Sequence, residues 1–274
     1  MTATTGSVHE ALTAATDALA AAGVETPRLD AEILLSEASG RSRAALVAEP
    51  EYPIDAQAAR AFGAMVRRRI QREPVAYILG RKGFRRIELE VDPRVLIPRP
   101  ETELLVELAL ELQPRSLLDV GTGSGAIALA VADELDGVDI VGIDTSLEAL
   151  AVARANALRL GLGERVRFAV EAEGEYDVVV ANLPYVSEEE WKTLAPEITR
   201  HEPRSALVPG PSGLEAIEEL LGRISVGELS AGAIGLEVGA GQAMAVAEMV
   251  RRAGFERVEV RADLAGTGRV VVGR

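Results

Sequence analysis

Leu117-Leu118-Asp119-Val120-Gly121-Thr122-Gly123-Ser124-Gly125-Ala126 is the stretch whose reading decides the fold. Residues 117–120 form a short, mostly apolar run, the pattern of a strand covered on both faces. Gly121, Gly123 and Gly125 end it; they allow a sharp turn and a close approach of backbone to a ligand. From Ala126 to about Leu135 the apolar residues recur at helical spacing. A second strand over residues 138–143 stops at Asp144. Strand, glycine turn, helix, strand and terminal acid form the first half of a Rossmann-like sheet. In such sheets the turn meets the ligand and the acid accepts hydrogen bonds from ribose hydroxyls. The stretch also satisfies G-x-G-x-x-A through Ala126, so the turn alone leaves a dinucleotide open.

Downstream the alternation continues. Residues 146–160 read as a helix, 166–170 and 176–181 as strands, 213–221 as a helix, 233–238 as a strand and 242–253 as a helix. Residues 182–212 form a long connection that contains Trp191 and Arg200-His201-Glu202-Pro203-Arg204. The last strands, 255–260 and 269–272, are joined through Ala265-Gly266-Thr267-Gly268, too short for a helical crossover, so they should be antiparallel. The expectation is an α/β fold: seven strands, mostly parallel, with helices on the sheet.

Upstream, Pro74, Gly80, Gly83, Pro93, Pro98 and Pro100 punctuate the chain. Residues 84–91 alternate, with Ile87, Leu89 and Val91 on one face, as a strand in a hairpin would. Pro100 precedes a helical pattern (Leu104, Leu105, Leu108, Leu112), with Glu101 and Glu103 placed to suit the helix dipole. Residues 7–72 read as helices. Ser7 and Glu10 make a capping box ahead of Leu12, Ala15 and Leu19, and Gly23 is a stop. Pro27 opens a second helix ending near Gly40, residues 42–47 form a third, and Asp55 caps a fourth through Phe62, Val66 and Ile70. The expected division is a helical bundle over 1–74, a hairpin linker over 75–98 and the sheet domain over 99–274.

Composition narrows the function. The chain has 274 residues and 48% hydrophobic residues, enough for a large core in one or two domains. It has no cysteine, which excludes disulfides and thiolate chemistry and points to the cytoplasm. No apolar run suits a membrane span and no secretory leader is visible. A formal net charge of -14 argues against a nucleic-acid footprint, apart from the local run Arg67-Arg68-Arg69. His9 and His201 have no neighbours at metal-ligand spacing, so no metal is expected.

The chemistry is carried by Val178-Val179-Val180-Ala181-Asn182-Leu183-Pro184-Tyr185. A buried strand ends where Pro184 cannot extend it, and open α/β sheets bind ligands at that edge. Asn182 offers an acceptor and donors, and Tyr185 a flat ring, a combination suited to a planar amide or amine. Asp119, just before the glycines, is placed for an ammonium group, from which a dinucleotide pyrophosphate would gain nothing. With the antiparallel last strand, this favours S-adenosylmethionine over a dinucleotide.

These residues resemble the protein-(glutamine-N5) methyltransferases that modify peptide chain release factors. The resemblance runs through Pro74-Val75-Ala76-Tyr77-Ile78-Leu79-Gly80, Leu96-Ile97-Pro98-Arg99-Pro100-Glu101-Thr102-Glu103, the glycine turn and Asn182-Leu183-Pro184-Tyr185. It continues through Glu202-Pro203-Arg204-Ser205-Ala206-Leu207, Leu236-Glu237-Val238-Gly239 and Asp263-Leu264-Ala265-Gly266. It implies a class I methyltransferase domain behind a helical substrate-recognition bundle. It implies methyl transfer from S-adenosylmethionine to the glutamine of a Gly-Gly-Gln loop in class I release factors, by a cytoplasmic monomer with no stable nucleic-acid binding. Cofactor contacts are expected from Asp119, Gly121, Thr122, Gly123, Ser124, Gly125, Asp144, Glu171 and Asn182, and catalysis from Asn182, Leu183, Pro184 and Tyr185. Asn182 Oδ1 and the Leu183 carbonyl would accept the two amide N–H bonds of the substrate while Tyr185 packs on its plane, with no general base.

Two departures stand out. The family usually has Asn-Pro-Pro-Tyr, and Leu183 replaces the first proline. The link at residues 171–175 is short, with Glu171 as the acid for the adenine and no aromatic beside it. Asn-Leu-Pro-Tyr also resembles ribosomal RNA adenine dimethyltransferases, so adenine N6 is the alternative acceptor; an acidic chain with 3% aromatics suits a flipped base poorly.

Overall fold

The computed structural model describes residues 4–274. Two compact units divide them: one runs to Gly80 and includes Ala195–His201, the other comprises Arg81–Leu194 and Glu202–Arg274.

In the first unit, β1 (Thr4–Ser7) pairs antiparallel with β2 (Pro53–Asp55) beside α1 (Val8–Ala21), α2 (Pro27–Ser39), α3 (Arg43–Ala48) and α4 (Ala56–Ile70). The Ser7–Glu10 capping box starts α1, and Asp55 caps α4 by accepting from the Gln57 and Ala58 N–H groups. Val8, Leu12, Ala15 and Leu19 form the buried stripe of α1, packed with Leu34, Leu35, Leu46 and Phe62. The unit does not stop at residue 74. α5 (Val75–Leu79), between Pro74 and Gly80, completes it, and Ile78 joins its core. Its last helix, α10 (Pro196–His201), comes from far along the chain. The Arg67-Arg68-Arg69 run is not a free basic patch. Arg67 is exposed, but Arg68 pairs with Glu73 at 2.6 Å, and Arg69 is buried against Asp30 at 2.7 Å and Glu197 at 2.8 Å.

The second unit opens with a hairpin, β3 (Arg81–Phe84) and β4 (Ile87–Glu90). Residues 84–91 are therefore not one strand: Arg85, at φ 49°, and Arg86 make the turn, and the Arg85 side chain is held by Glu134. A 3-10 turn, Pro100–Thr102, leads into α6 (Glu103–Leu112). The sheet then follows: β5 (Ser116–Val120), α7 (Ala126–Glu134), β6 (Asp139–Ile143), α8 (Leu147–Arg159), β7 (Val166–Ala169) and β8 (Gly174–Ala181). The connection after β8 contains α9 (Glu188–Trp191) and a 3-10 turn, Arg204–Ala206. α11 (Glu215–Ser225), β9 (Leu229–Glu237), α12 (Ala243–Arg252), β10 (Val258–Ala262) and β11 (Gly268–Gly273) complete it.

The seven strands lie in the order β10-β11-β9-β8-β5-β6-β7. β5 to β9 run parallel, and β11 is antiparallel to both β9 and β10, as the short final link requires. The chain proceeds from β5 outward through β6 and β7, then returns to place β8 on the other side of β5. That reversal between β5 and β8 is the topological switch point, where a crevice opens at the carboxyl ends of the strands. Val120 is in register with Ala181, so the glycine turn and Asn182 leave the sheet as neighbours. Among the described residues no helix is long and apolar enough to cross a membrane, and no cluster of potential ligands could hold a metal ion.

Candidate active site

The turn after β5 is anchored by its backbone. The N–H groups of Gly121 and Thr122 both donate to the Ile143 carbonyl, at 2.8 and 2.9 Å, and Gly125 N–H donates to the Thr122 carbonyl at 2.8 Å. Gly121 has φ 74°, and a Cβ there would sit 3.2 Å from Leu183 Cδ2. Gly125 has φ 84°, and its Cβ would meet Leu129 Cδ1 at 2.8 Å. The left-handed backbone favours glycine at both places.

Asp119 lies behind the turn. It is fully buried, and its Oδ2 accepts from Thr122 Oγ1 at 2.7 Å and from the Ala128 N–H at 3.2 Å. It does not line the cavity, and its Oδ1 is buried without a hydrogen-bond partner. Burial pushes its carboxyl up to about 7, against the Thr122 and Ala128 hydrogen bonds. Asp144 stands in front of the turn: Oδ2 accepts from the Gly123 N–H at 3.0 Å and Oδ1 from the Ser146 N–H at 2.9 Å. Ser146 is also the N-cap of α8.

The crevice is a cavity of about 790 Å³, within the size range of small-molecule sites. Gly121, Thr122, Gly123, Ser124, Asp144, Glu171, Asn182, Leu183 and Pro184 line it; Gly125 and Tyr185 do not. Ile143, Val170 and Leu220 supply apolar wall. Exposed Glu171 lies in the 170–173 segment that joins β7 to β8 directly, without a helix or an aromatic residue. Bare glycine backbone, a carboxylate tied to it and apolar side chains fit a ligand with a ribose and a flat base.

The 182–185 segment is held from behind. Asn182 Nδ2 donates to Thr102 Oγ1 at 2.9 Å, which leaves Oδ1 as the amide's acceptor. Tyr185 Oη donates to Glu237 Oε1 at 3.2 Å, and Gln242 Nε2 donates to the Tyr185 carbonyl at 2.8 Å. Burial, followed by the nearby Glu237 charge, raises the Tyr185 phenol above its ordinary range. The ring is thus tied through its hydroxyl to Glu237. Glu202, also buried, accepts from the Ile97 N–H at 3.1 Å and from Arg99 at 2.5 Å, which fixes the segment before the 3-10 turn. Thr102, Glu202, Glu237 and Gln242 were not singled out by sequence reasoning. Three of them fall inside resembling segments, but their roles arise only from side chains that meet in the fold.

Comparison with known proteins agrees with this geometry. Residues 10–80 match the family model described as PrmC N-terminal domain, and residues 117–202 match the one described as methyltransferase domain. The chain is 41% identical to the release factor glutamine methyltransferase of Caulobacter vibrioides, over 96% of this chain and 95% of that protein. It is 42% identical to the protein of that name from Bordetella pertussis, over 89% of this chain and 93% of that protein. Among solved structures, the hMettl16 catalytic domain bound to a MAT2A 3'UTR hairpin superposes with a TM-score of 0.55 at 14% identity, covering 68% of this chain and 74% of that one. That likeness is one of fold.

Proposed function

We infer the reaction from one premise: the chain belongs to the release factor glutamine methyltransferase family. It transfers a methyl group to the side-chain amide nitrogen of a release-factor glutamine, and we assign that glutamine to a Gly-Gly-Gln loop. The observation that carries the residue assignment is the meeting at the switch point. Asn182, its amide held by Thr102 at 2.9 Å, leaves the sheet beside the glycine turn.

The residues in the cavity fit S-adenosylmethionine. Gly121, Thr122, Gly123 and Ser124 form the cradle, with Gly125 behind them closing the turn, Asp144 is the acceptor for the ribose hydroxyls, and Glu171 stands at the adenine side. Asp119 acts through the turn that it braces. When bound, S-adenosylmethionine supplies an electrophilic methyl group. A carboxamide nitrogen is a weak nucleophile because its lone pair is delocalised into the carbonyl. Asn182 Oδ1 and the Leu183 carbonyl accept its two N–H bonds, which aims the nitrogen and stabilises positive charge as it develops there. Leu183 retains the carbonyl that this role needs, and Pro184 keeps the chain from continuing the strand that ends at Ala181. Tyr185 holds the segment in place through Glu237. No side chain is assigned as a general base; the thioether leaves as the methyl group transfers, and the proton lost from the methylated nitrogen passes to solvent.

Class I release factors are the proposed partners, met by the helical unit, and a monomer in the cytoplasm is the proposed state. A cysteine-free chain suits that compartment. The adenine-N6 alternative, raised by the Asn-Leu-Pro-Tyr motif, is not favoured: the relatives are release factor glutamine methyltransferases, and Arg68 and Arg69 of the local basic run are engaged in ion pairs. Asn182→Ala is expected to lower turnover ~100- to 1,000-fold, the loss seen when one preorganised hydrogen-bonding group is removed. Asn182→Asp, which keeps acceptor oxygens, should retain more activity than Asn182→Ala. Steady-state kinetics that find the two variants equal to wild type would refute the assignment.

A further inference from the structure

The cavity runs along the carboxyl ends of four adjacent strands, β8, β5, β6 and β7. Asn182 follows β8, the glycine turn follows β5, Asp144 follows β6, and Val170, Glu171 and Glu173 follow β7. A ligand with its methyl group beside Asn182 and its ribose on Asp144 therefore has its base at the β7 end. Such a base is flat, and proteins hold it by laying a planar group on its face. Among the described residues that line the cavity none is aromatic. Phe168 of β7 packs on Gly142, and Tyr176 of β8 packs against the core. The cations of the lining are Arg94 and Arg223, and Arg94 is held by Asp92 at 2.6 Å.

Arg223 lies in α11 and reaches the β7 end of the cavity. Its Nη2 donates to the Ala172 carbonyl at 2.6 Å, between the two glutamates of the link from β7 to β8. Its Nε is 3.6 Å from Glu228 Oε2, and the Arg223 side chain is only 26% exposed. The Gly174 N–H, at the end of the link, donates to the Glu228 carbonyl at 3.4 Å. The guanidinium is thus fixed at two of its nitrogens. Its donors all lie in its plane, so these contacts leave its faces free.

We propose that Arg223 holds the adenine of S-adenosylmethionine, its guanidinium stacking on the base in a cavity that has no aromatic side chain. This rests on the cofactor assigned above to the same cavity. The face of an aromatic ring carries negative charge density and attracts a guanidinium laid over it. The in-plane bond to Ala172 sets the position of the guanidinium, and the same bond ties down the short link that carries Glu171. Glu171 is then the acceptor for the amino group at the edge of the base, and Arg223 the surface for its face.

The test uses the full chain and variants Arg223→Ala, Arg223→Lys and Arg223→Trp, with calorimetric titration of S-adenosylhomocysteine, which binds without turnover. Thermal melting checks that each variant folds. Arg223→Ala should weaken binding roughly 5- to 30-fold, the worth of a cation–π contact partly shielded from water. Arg223→Lys keeps the charge and a donor for the Ala172 carbonyl but has no plane, so it should not recover wild-type affinity. Arg223→Trp restores a plane without the charge. It should bind more tightly than Arg223→Ala, and its added indole fluorescence should be quenched by the ligand. Wild-type affinity in Arg223→Ala would overturn the proposal. So would wild-type affinity in Arg223→Lys, which would make the residue a strap for the link, or an Arg223→Trp no tighter than Arg223→Ala. If Arg223→Ala does not fold, the lysine variant decides. A wild-type protein that does not bind S-adenosylhomocysteine would sink the cofactor assignment itself, whereas a binding wild type with indifferent variants would sink only the role of Arg223.

Discussion

Asp119 and Glu237 each hold a buried carboxyl oxygen with no hydrogen-bond partner. Each carboxyl is raised to about 7, first of all by burial, so each binds its proton more tightly in the folded chain than in the unfolded one. The stability drawn from that proton is complete below the unfolded value and is lost as pH rises through about 7. Asp119→Asn keeps an acceptor oxygen for Thr122 and the Ala128 N–H but cannot ionise. Relative to wild type it should gain stability between about pH 4 and about pH 7, by at most roughly 4 kcal/mol. Urea unfolding at the two ends of that window checks this, and a constant difference would contradict it. Asp144→Ala removes the acceptor of the Gly123 and Ser146 N–H groups. It should weaken S-adenosylmethionine binding ~10- to 100-fold in calorimetry, the worth of one or two charge-assisted hydrogen bonds, while circular dichroism stays unchanged. Asp144 and Asn182 were legible in the sequence because each ends a strand, where local pattern and ligand edge coincide. Thr102 and Glu237 were not, because their contacts with Asn182 and Tyr185 are made with residues distant in sequence. The contacts of Asp119 with Thr122 and the Ala128 N–H were not legible, because they form only when the turn folds back on the strand end.

At the scale of elements, the parallel strands were readable because apolar runs alternate with helical spacing. The antiparallel end followed from a link too short to cross the sheet. Several elements escaped, the β1–β2 pair, α9 and α10 among them. α5 has only 5 residues between a proline and a glycine, so its sequence reads equally as linker. The hairpin turn lies at Arg85 and Arg86, neither a usual turn residue, and is stabilised by Glu134, which is distant in sequence. The ion pairs that tie α4 to α2 and α10 were equally hidden. Arg69, 6% exposed, joins Asp30 of α2 and Glu197 of α10. Removing one partner of a buried pair leaves the others uncompensated. Arg69→Ala should therefore destabilise the helical unit by ~3–5 kcal/mol in urea unfolding. A loss below about 1 kcal/mol would place Arg69 among ordinary surface pairs.

At the scale of the whole molecule, the chain holds a unit that contains the cavity and a helical unit with no share in its lining. The helical unit extends past the expected boundary and includes Ala195–His201 from the second half of the chain, which no local pattern announces. Removing residues through Gly80 should leave S-adenosylmethionine binding in place and abolish methylation of an intact release factor. Full activity in the truncated protein would show that the helical unit is incidental to substrate recognition. The central claim, that Asn182 and its neighbours present a glutamine amide for methylation, is tested most directly by methyl transfer to two substrates. One is an intact release factor with its Gly-Gly-Gln loop, the other the same factor with that glutamine replaced. Wild-type protein is expected to label the first and not the second, and equal labelling of both would contradict the claim.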